Sequence, residues 1–371
     1  MNHLFNDMLG EATRLTRAGN LQAATDLIQR ALRGESAPVP PPTRPASADA
    51  GMVIDVQARV INDAPAAAPQ TEAHPTTAER AAASSPEQWL RSSYSHKGRQ
   101  LAYRLYVPPT AEATGPRPLI VMLHGCTQGA DDFSAGTRMN ALAREADVLV
   151  LYPEQTQHAN AQKCWNWFKT QHQQRGRGEP DLLASLTRHI MADHGVDASR
   201  VYIAGLSAGG AMADIMGRTY PDLFTALGVH SGLAAGAASD LPTALGAMRA
   251  GAPAGTASGP AVRPTIVFHG DADTTVHSAN GAAVVKAAHG AQQITRAAQV
   301  TQGHAPNRQR FTQTVYTAAD GSATIEHWQL HGTSHAWSGG SPAGSYTAPG
   351  GVDASAEMLR FFLSHQRAPS H

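Results

Sequence analysis

From residue 99 onward the chain repeats one pattern: a short apolar run, a glycine- or proline-marked turn, then a longer segment with apolar residues at helical spacing. Leu101, Tyr103, Leu105 and Val107 alternate with Ala102, Arg104 and Tyr106, which predicts a strand over Arg99 to Val107, ended by Pro108-Pro109. Pro118 to Leu123 is apolar without interruption, the mark of a central strand covered on both faces. Val148 to Tyr152, Val201 to Ala204 and Pro264 to Phe268 read the same way, and Phe311 to Tyr316 and Ala323 to Leu330 alternate as late strands. Met139 to Glu145, Glu179 to His194 and Ala354 to His365 read as helices. The Ala/Gly/Ser-rich piece from Leu233 to Pro260 reads as a lid-like insertion or a loop. Strands alternating with helices predict an α/β class with a doubly wound, mostly parallel sheet, beginning near Glu87 and running to residue 371.

The first 86 residues follow other rules. Leu4, Met8, Leu15, Leu21, Ala24, Leu27, Ile28 and Leu32 recur at helical spacing over residues 1–33, and Gly19-Asn20 breaks the run into a helical hairpin. That pair suits docking or self-association. Residues 34–86 are Pro/Ala-rich, with Pro38-Val39-Pro40-Pro41-Pro42 and Ala81 to Pro86 as examples. Such a stretch buries too little apolar surface to offset ordering entropy and reads as a largely mobile linker. Met52 to Val56 is a short apolar patch within it, a local strand or docking segment.

Charge narrows the partners. Lys+Arg and Asp+Glu balance at 29 each. No basic field points to nucleic acid, and no apolar run reaches the length of a transmembrane span. The start, Met1 to Asp7, lacks the basic residues and apolar core of a secretory signal peptide.

The chemistry centres on Gly205-Leu206-Ser207-Ala208-Gly209. It follows the apolar run Val201 to Ala204 and precedes a small-residue, helix-compatible run. G-x-S-x-G in strand–turn–helix context is the nucleophile elbow of α/β-hydrolases. A serine hydroxyl needs a base, and the base needs an orienting acid. In this fold they follow in the order Ser, acid, His. After the strand ending at Phe268, Asp271 and Asp273 both qualify by position, since a carboxylate on a loop after a strand sits at the active edge of the sheet. The candidate bases are His277, His289, His304, His327, His331, His335 and His365. His335 is favoured by its Gly-rich loop after the late strand, Gly332 to Gly340. The oxyanion hole is expected from the amide of Ala208 and an amide of the loop His124 to Gln128, that of Cys126, with His124 in a structural role.

Six motifs then fall in order: Leu123 to Gln128, Cys164-Trp165-Asn166-Trp167-Phe168, Gly205 to Met212, His230-Ser231-Gly232, His269 to Asp273, and Gly332 to Trp337. Together they resemble the poly(3-hydroxybutyrate) depolymerase family of esterases, related to acetylxylan and feruloyl esterases, over residues 90 to 365. The resemblance implies an α/β-hydrolase fold, a Ser207–Asp273–His335 triad and ester hydrolysis with no metal and no cofactor. It selects Asp273 over Asp271, because H-G-x-x-D-x-x-V is the form of this loop in similar esterases. It also pairs Cys126 with Cys164, against the alternative of two free thiols. Trp165, Trp167, Phe168 and Trp337 have two readings, core filling or a grip on substrate. Family members are mostly exported, which implies an extracellular enzyme, whereas the N-terminus favours the alternative of a cytoplasmic one. The expected activity is serine carboxylic-ester hydrolysis of polyesters or short-chain hydroxyalkanoate esters. The rivals are an acetylxylan/feruloyl-type carbohydrate esterase, a serine peptidase, and a polymer-granule binding protein whose hydrolase domain is inactive.

Overall fold

The computed structural model describes residues 86–109, 115–252, 263–291, 297–318 and 323–368. The expectations for the helical segment 1–33, for the linker up to residue 85 and for Met52 to Val56 lie outside them.

Among the described residues ten strands form one sheet. In chain order β1 (Gln88–His96), β2 (Arg99–Val107) and β3 (Arg117–Leu123) come first. Helices α1 (Ala130–Thr137) and α2 (Met139–Ala146) lead to β4 (Leu149–Glu154). Next come α3 (Gly178–Asp193), β5 (Val196–Leu206), α4 (Ala208–Thr219), β6 (Ala226–His230), α5 (Leu241–Ala250), β7 (Thr265–Gly270) and α6 (Ala279–Ala291). Strands β8 (Gln299–His304), β9 (Arg310–Thr317) and β10 (Ala323–Leu330) follow, then the two-residue strands β11 (Trp337–Ser338) and β12 (Thr347–Ala348), and finally α7 (Ala354–Leu363).

The order across the large sheet is β1-β2-β4-β3-β5-β6-β7-β10-β9-β8. The six strands from β4 to β10 pair in parallel, and antiparallel strands close both edges. This is the α/β-hydrolase arrangement. Chain order reverses direction at β3, whose neighbours are β4 and β5. The carboxyl ends of β3 and β5 therefore border the switch point where ligands bind in such sheets.

Period-two alternation divides the core into two faces. Leu119, Val121 and Leu123 of β3 and Val201 and Ile203 of β5 pack on one face with residues of α3, α4 and α6. Ile120 and Met122, with Tyr202, Ala204 and Leu206, pack on the other with residues of α1, α2 and α7. Covering on both sides is why these strands read as unbroken apolar runs.

Within the Leu233 to Pro260 piece the loop reading is corrected for residues 241–250, and residues 253–260 lie outside the described ones. Residues 241–250 are helix α5, opened by a capping box in which the Asp240 side chain accepts from the Thr243 N–H and the Thr243 hydroxyl accepts from the Asp240 N–H. Strands β1, β6 and β8 and helices α1 and α6 were also not anticipated.

Candidate active site

The elbow is built from close backbone approaches. Ser207 has φ 56° and ψ −119°, a strained conformation that ends β5 and opens α4. Its N–H donates to the His230 carbonyl at 2.9 Å, and its carbonyl accepts from Ala211 N–H at 2.9 Å. A Cβ on Gly209 would lie 2.0 Å from the Leu123 carbonyl oxygen, and one on Gly205 would lie 2.4 Å from the Gly209 carbonyl carbon. Both glycines are thus required by the packing of α4 against β3 and β5.

The second lip is the loop after β3. A Cβ on Gly125 would sit 3.6 Å from Ser207 Cβ, which places this loop directly beside Ser207. Its amides are largely engaged: Gly125 N–H donates to Gln128 Oε1, Thr127 N–H to the Gln162 carbonyl and Gln128 N–H to the Gly125 carbonyl. The N–H of Cys126 has no acceptor among the described residues. That of Ala208 lies in the first turn of α4, where helix amides lack intrahelical partners. His124 is fully buried. Its Nδ1 donates to the Gly125 carbonyl and its Nε2 accepts from Gln155 N–H, so the ring is neutral, and burial lowers its pKa to about 4.

Cys126 and Cys164 form a disulfide. The segment after it is held independently. Trp165 Nε1 donates to the His124 carbonyl at 3.1 Å, and the buried Glu179 carboxylate accepts from Asn166 N–H, Asn166 Nδ2 and Gln155 Nε2 at 2.6–2.7 Å.

The third group stands at the carboxyl ends of β7 and β10. Asp273 Oδ2 accepts from His335 Nδ1 at 2.7 Å, and its Oδ1 accepts from the N–H groups of Thr275 and Val276. His269 Nε2 donates to the Val276 carbonyl and lies 3.5 Å from Asp273 Oδ2. Burial would raise the Asp273 carboxyl, but the adjacent His269 ring and the hydrogen bonds from His335 Nδ1 and Val276 N–H outweigh it. They hold the carboxyl well below the usual carboxylate range. Asp271 serves elsewhere: it accepts from His331 Nδ1 at 2.8 Å and from Gly332 N–H, clamping the loop that leads to His335.

Strands β5, β6, β7 and β10 run parallel side by side, so Ser207, Asp273 and His335 all emerge from the same edge of the sheet. His230 ties two of these loops together. Its carbonyl holds Ser207 N–H, and its Nε2 accepts from Ser338 N–H at 3.0 Å. Burial lowers its pKa to about 3, so it remains an acceptor. Among the other candidate bases, His277 Nδ1 accepts from Ala279 N–H at the start of α6, His289 stacks edge-on to Tyr316, His304 and His327 belong to β8 and β10, and His365 follows α7.

The aromatic set divides. Trp165 and Trp337 are 0% and 1% exposed, and Trp167 is also buried, so a substrate grip by these three is corrected to core packing. Trp337 stacks on His230 at 5.0 Å and donates through Nε1 to Ser355, bracing the His335 loop from below. Phe168 is partly buried, edge-on to Trp167. Among the described residues no cluster of three or more His, Cys, Asp or Glu could hold a metal ion, and no helix is long and apolar enough to cross a membrane.

Fold and site together define an α/β-hydrolase with a serine elbow. The Esterase PHB depolymerase family model matches residues 101–301, more than half of the chain, and the protein belongs to that family. The matched stretch includes Cys126, Ser207 and Asp273 and stops before His335. Poly(3-hydroxyalkanoate) depolymerase C of Paucimonas lemoignei is 32% identical over 233 residues, covering 59% of this chain and 54% of that one. Poly(3-hydroxybutyrate) depolymerase of Ralstonia pickettii is 27% identical over 289 residues, covering 72% and 57%. Feruloyl esterase B of Neurospora crassa is 37% identical over 142 residues, covering 37% and 47%. The chain thus spans about half the length of these curated relatives. An acetyl xylan esterase structure from Aspergillus awamori superimposes with a TM-score of 0.57 at 17% identity, covering 75% of this chain and 99% of that one, a likeness of fold.

Proposed function

We propose that residues 87–371 form a serine carboxylic-ester hydrolase domain acting on polyesters or short-chain hydroxyalkanoate esters. The observation that carries this reading is the 2.7 Å bond between His335 and a deeply ionised Asp273, at the sheet edge that also bears Ser207. With Nδ1 donating to Asp273, the neutral form of the His335 ring presents Nε2 as the base. Ser207 Oγ attacks the ester carbonyl and His335 Nε2 takes its proton. The amides of Cys126 and Ala208 hold the oxyanion. His335 then returns the proton to the leaving alcohol, and water, deprotonated by the same ring, releases the acid from Ser207. No step in this cycle calls on a metal or cofactor.

The polyester substrate is favoured by the likeness to two polyhydroxyalkanoate depolymerases. A carbohydrate esterase is the second reading, favoured by the feruloyl esterase relative. An extracellular location fits the disulfide, which persists in oxidising compartments. A panel of p-nitrophenyl butyrate, amorphous polyhydroxybutyrate, acetylated xylan and methyl ferulate tests the reading. Release of hydroxybutyrate oligomers supports it; turnover restricted to xylan or ferulate transfers the protein to the second reading, and inertness toward all four refutes both.

A further inference from the structure

Tyr346 combines an exposed ring with a strained backbone at the rim of the site. It is 47% exposed, and its φ of 51° lies in the left-handed region that a bulky residue adopts at a cost. Two contacts place it. Its carbonyl accepts from Trp337 N–H at 2.7 Å, two residues after His335. Its hydroxyl meets Thr127 Oγ1 at 3.2 Å, one residue after Cys126. Residue 346 therefore bridges the loop of the proposed base, through its backbone, and the loop of the proposed oxyanion donor, through its hydroxyl.

Its neighbour makes the placement rigid. Ser345 N–H and Oγ bond to the Asp132 carboxylate at 2.8 and 2.7 Å, and the Ser345 carbonyl accepts from Gln128 Nε2 at 3.1 Å. Gln128 Oε1 in turn accepts from Gly125 N–H. Among the exposed large apolar side chains of the described residues, Tyr346 is the one bonded to the oxyanion loop. Tyr346 thus carries a bulky ring at a left-handed backbone position that glycine would adopt more easily.

We propose that Tyr346 determines specificity: its ring is the platform on which the aliphatic chain flanking the scissile ester lies. This rests on the ester-hydrolase reading. The test compares Tyr346→Gly and Tyr346→Phe with the unaltered full-length chain, on p-nitrophenyl acetate and on a methyl-capped 3-hydroxybutyrate trimer. Tyr346→Gly relieves the backbone but loses the Thr127 hydrogen bond and adds unfolded-state freedom, so its fold is checked by far-UV circular dichroism and its kinetics are read on the folded protein. Its KM for the trimer is expected to rise roughly tenfold, the scale of a lost aromatic contact, and that for the acetate by much less. Tyr346→Phe keeps the ring and is expected to hold the trimer KM within about threefold. Equal shifts on both esters in Tyr346→Gly, or a trimer KM raised as much in Tyr346→Phe as in Tyr346→Gly, would overturn the proposal while leaving the hydrolase reading standing. An unaltered chain inert to both esters would overturn the two together.

Discussion

Lowering the pH from 7 to 5 should cost this fold much of its stability, and histidines lowered by burial set the amount. His124 and His230 are both fully buried, and burial lowers their pKa values from 6.5 to about 4 and about 3. Each uses its unprotonated nitrogen to accept a backbone N–H, from Gln155 and from Ser338. Protonation would turn each acceptor into a donor facing a donor. Below pH 6.5 the unfolded chain takes up protons on these rings that the folded chain refuses, so stability falls as pH falls. The decline continues until about pH 4 for His124 and about pH 3 for His230. At pH 5 the linkage is about 2 kcal/mol per ring, hence about 4 kcal/mol for the pair. Asp273, whose carboxyl is held low, adds a loss of the same sign below the usual carboxylate range. His327, lowered by burial to about 4, adds a loss of about 2 kcal/mol at pH 5 by the same linkage, bringing the sum for the three rings to about 6 kcal/mol. Small domains hold about 5–15 kcal/mol in all. Urea unfolding at pH 7, 6 and 5, followed by tryptophan fluorescence, reads the loss directly. A stability that stays level across this range would refute the assignment of both rings as buried neutral acceptors.

Other consequences test separate parts of the account. Reducing the disulfide opens a loop with a sequence separation of 38, for which chain entropy gives about 4 kcal/mol; a urea midpoint unchanged by reductant would contradict it. Asp273→Asn should lower kcat by about three to four orders of magnitude by spoiling the His335 tautomer, whereas Asp271→Asn should cost less than tenfold; the reverse ranking in steady-state kinetics would move the acid to Asp271. Removing residues 1 to 85 should preserve hydrolysis of p-nitrophenyl butyrate, because no proposed catalytic residue lies there; loss of activity in a folded truncation would show that the segment completes the site.

Much of the fold was legible because its centre is covered on both faces. The strands at Arg117–Leu123, Leu149–Glu154 and Thr265–Gly270 announce themselves as unbroken apolar runs, a pattern that burial on two sides imposes. Strands β1 and β8 were missed because they lie at the sheet edges and are mostly exposed, so no alternation marks them. Strand β6 is short and reads Ala226-Leu227-Gly228-Val229-His230, with Gly228 forced small by Met358 and Ala204. Helices α5 and α6 are Ala/Gly-rich and blur the helical period, although Asp240, Pro242 and Thr243 were a start signal in plain view for α5.

The candidate site divides along the same line. The elbow was legible because its glycines answer a local steric demand that the spacing records. The direction in which a ring faces is set by tertiary packing, so Trp165 and Trp337 could not be assigned to core or cleft by spacing, and Tyr346 drew no notice in a loop of small residues. The second tasks of His230, His269 and Asp271 were equally hidden, since each is defined by partners distant in the chain.

The central claim is that Ser207 is the nucleophile of an ester hydrolase. A fluorophosphonate probe followed by intact-mass analysis and peptide mapping tests it most directly. One equivalent bound at Ser207, in step with loss of p-nitrophenyl butyrate hydrolysis and absent from Ser207→Ala, is the expected result. Labelling at another residue, with Ser207→Ala still active, would contradict the account.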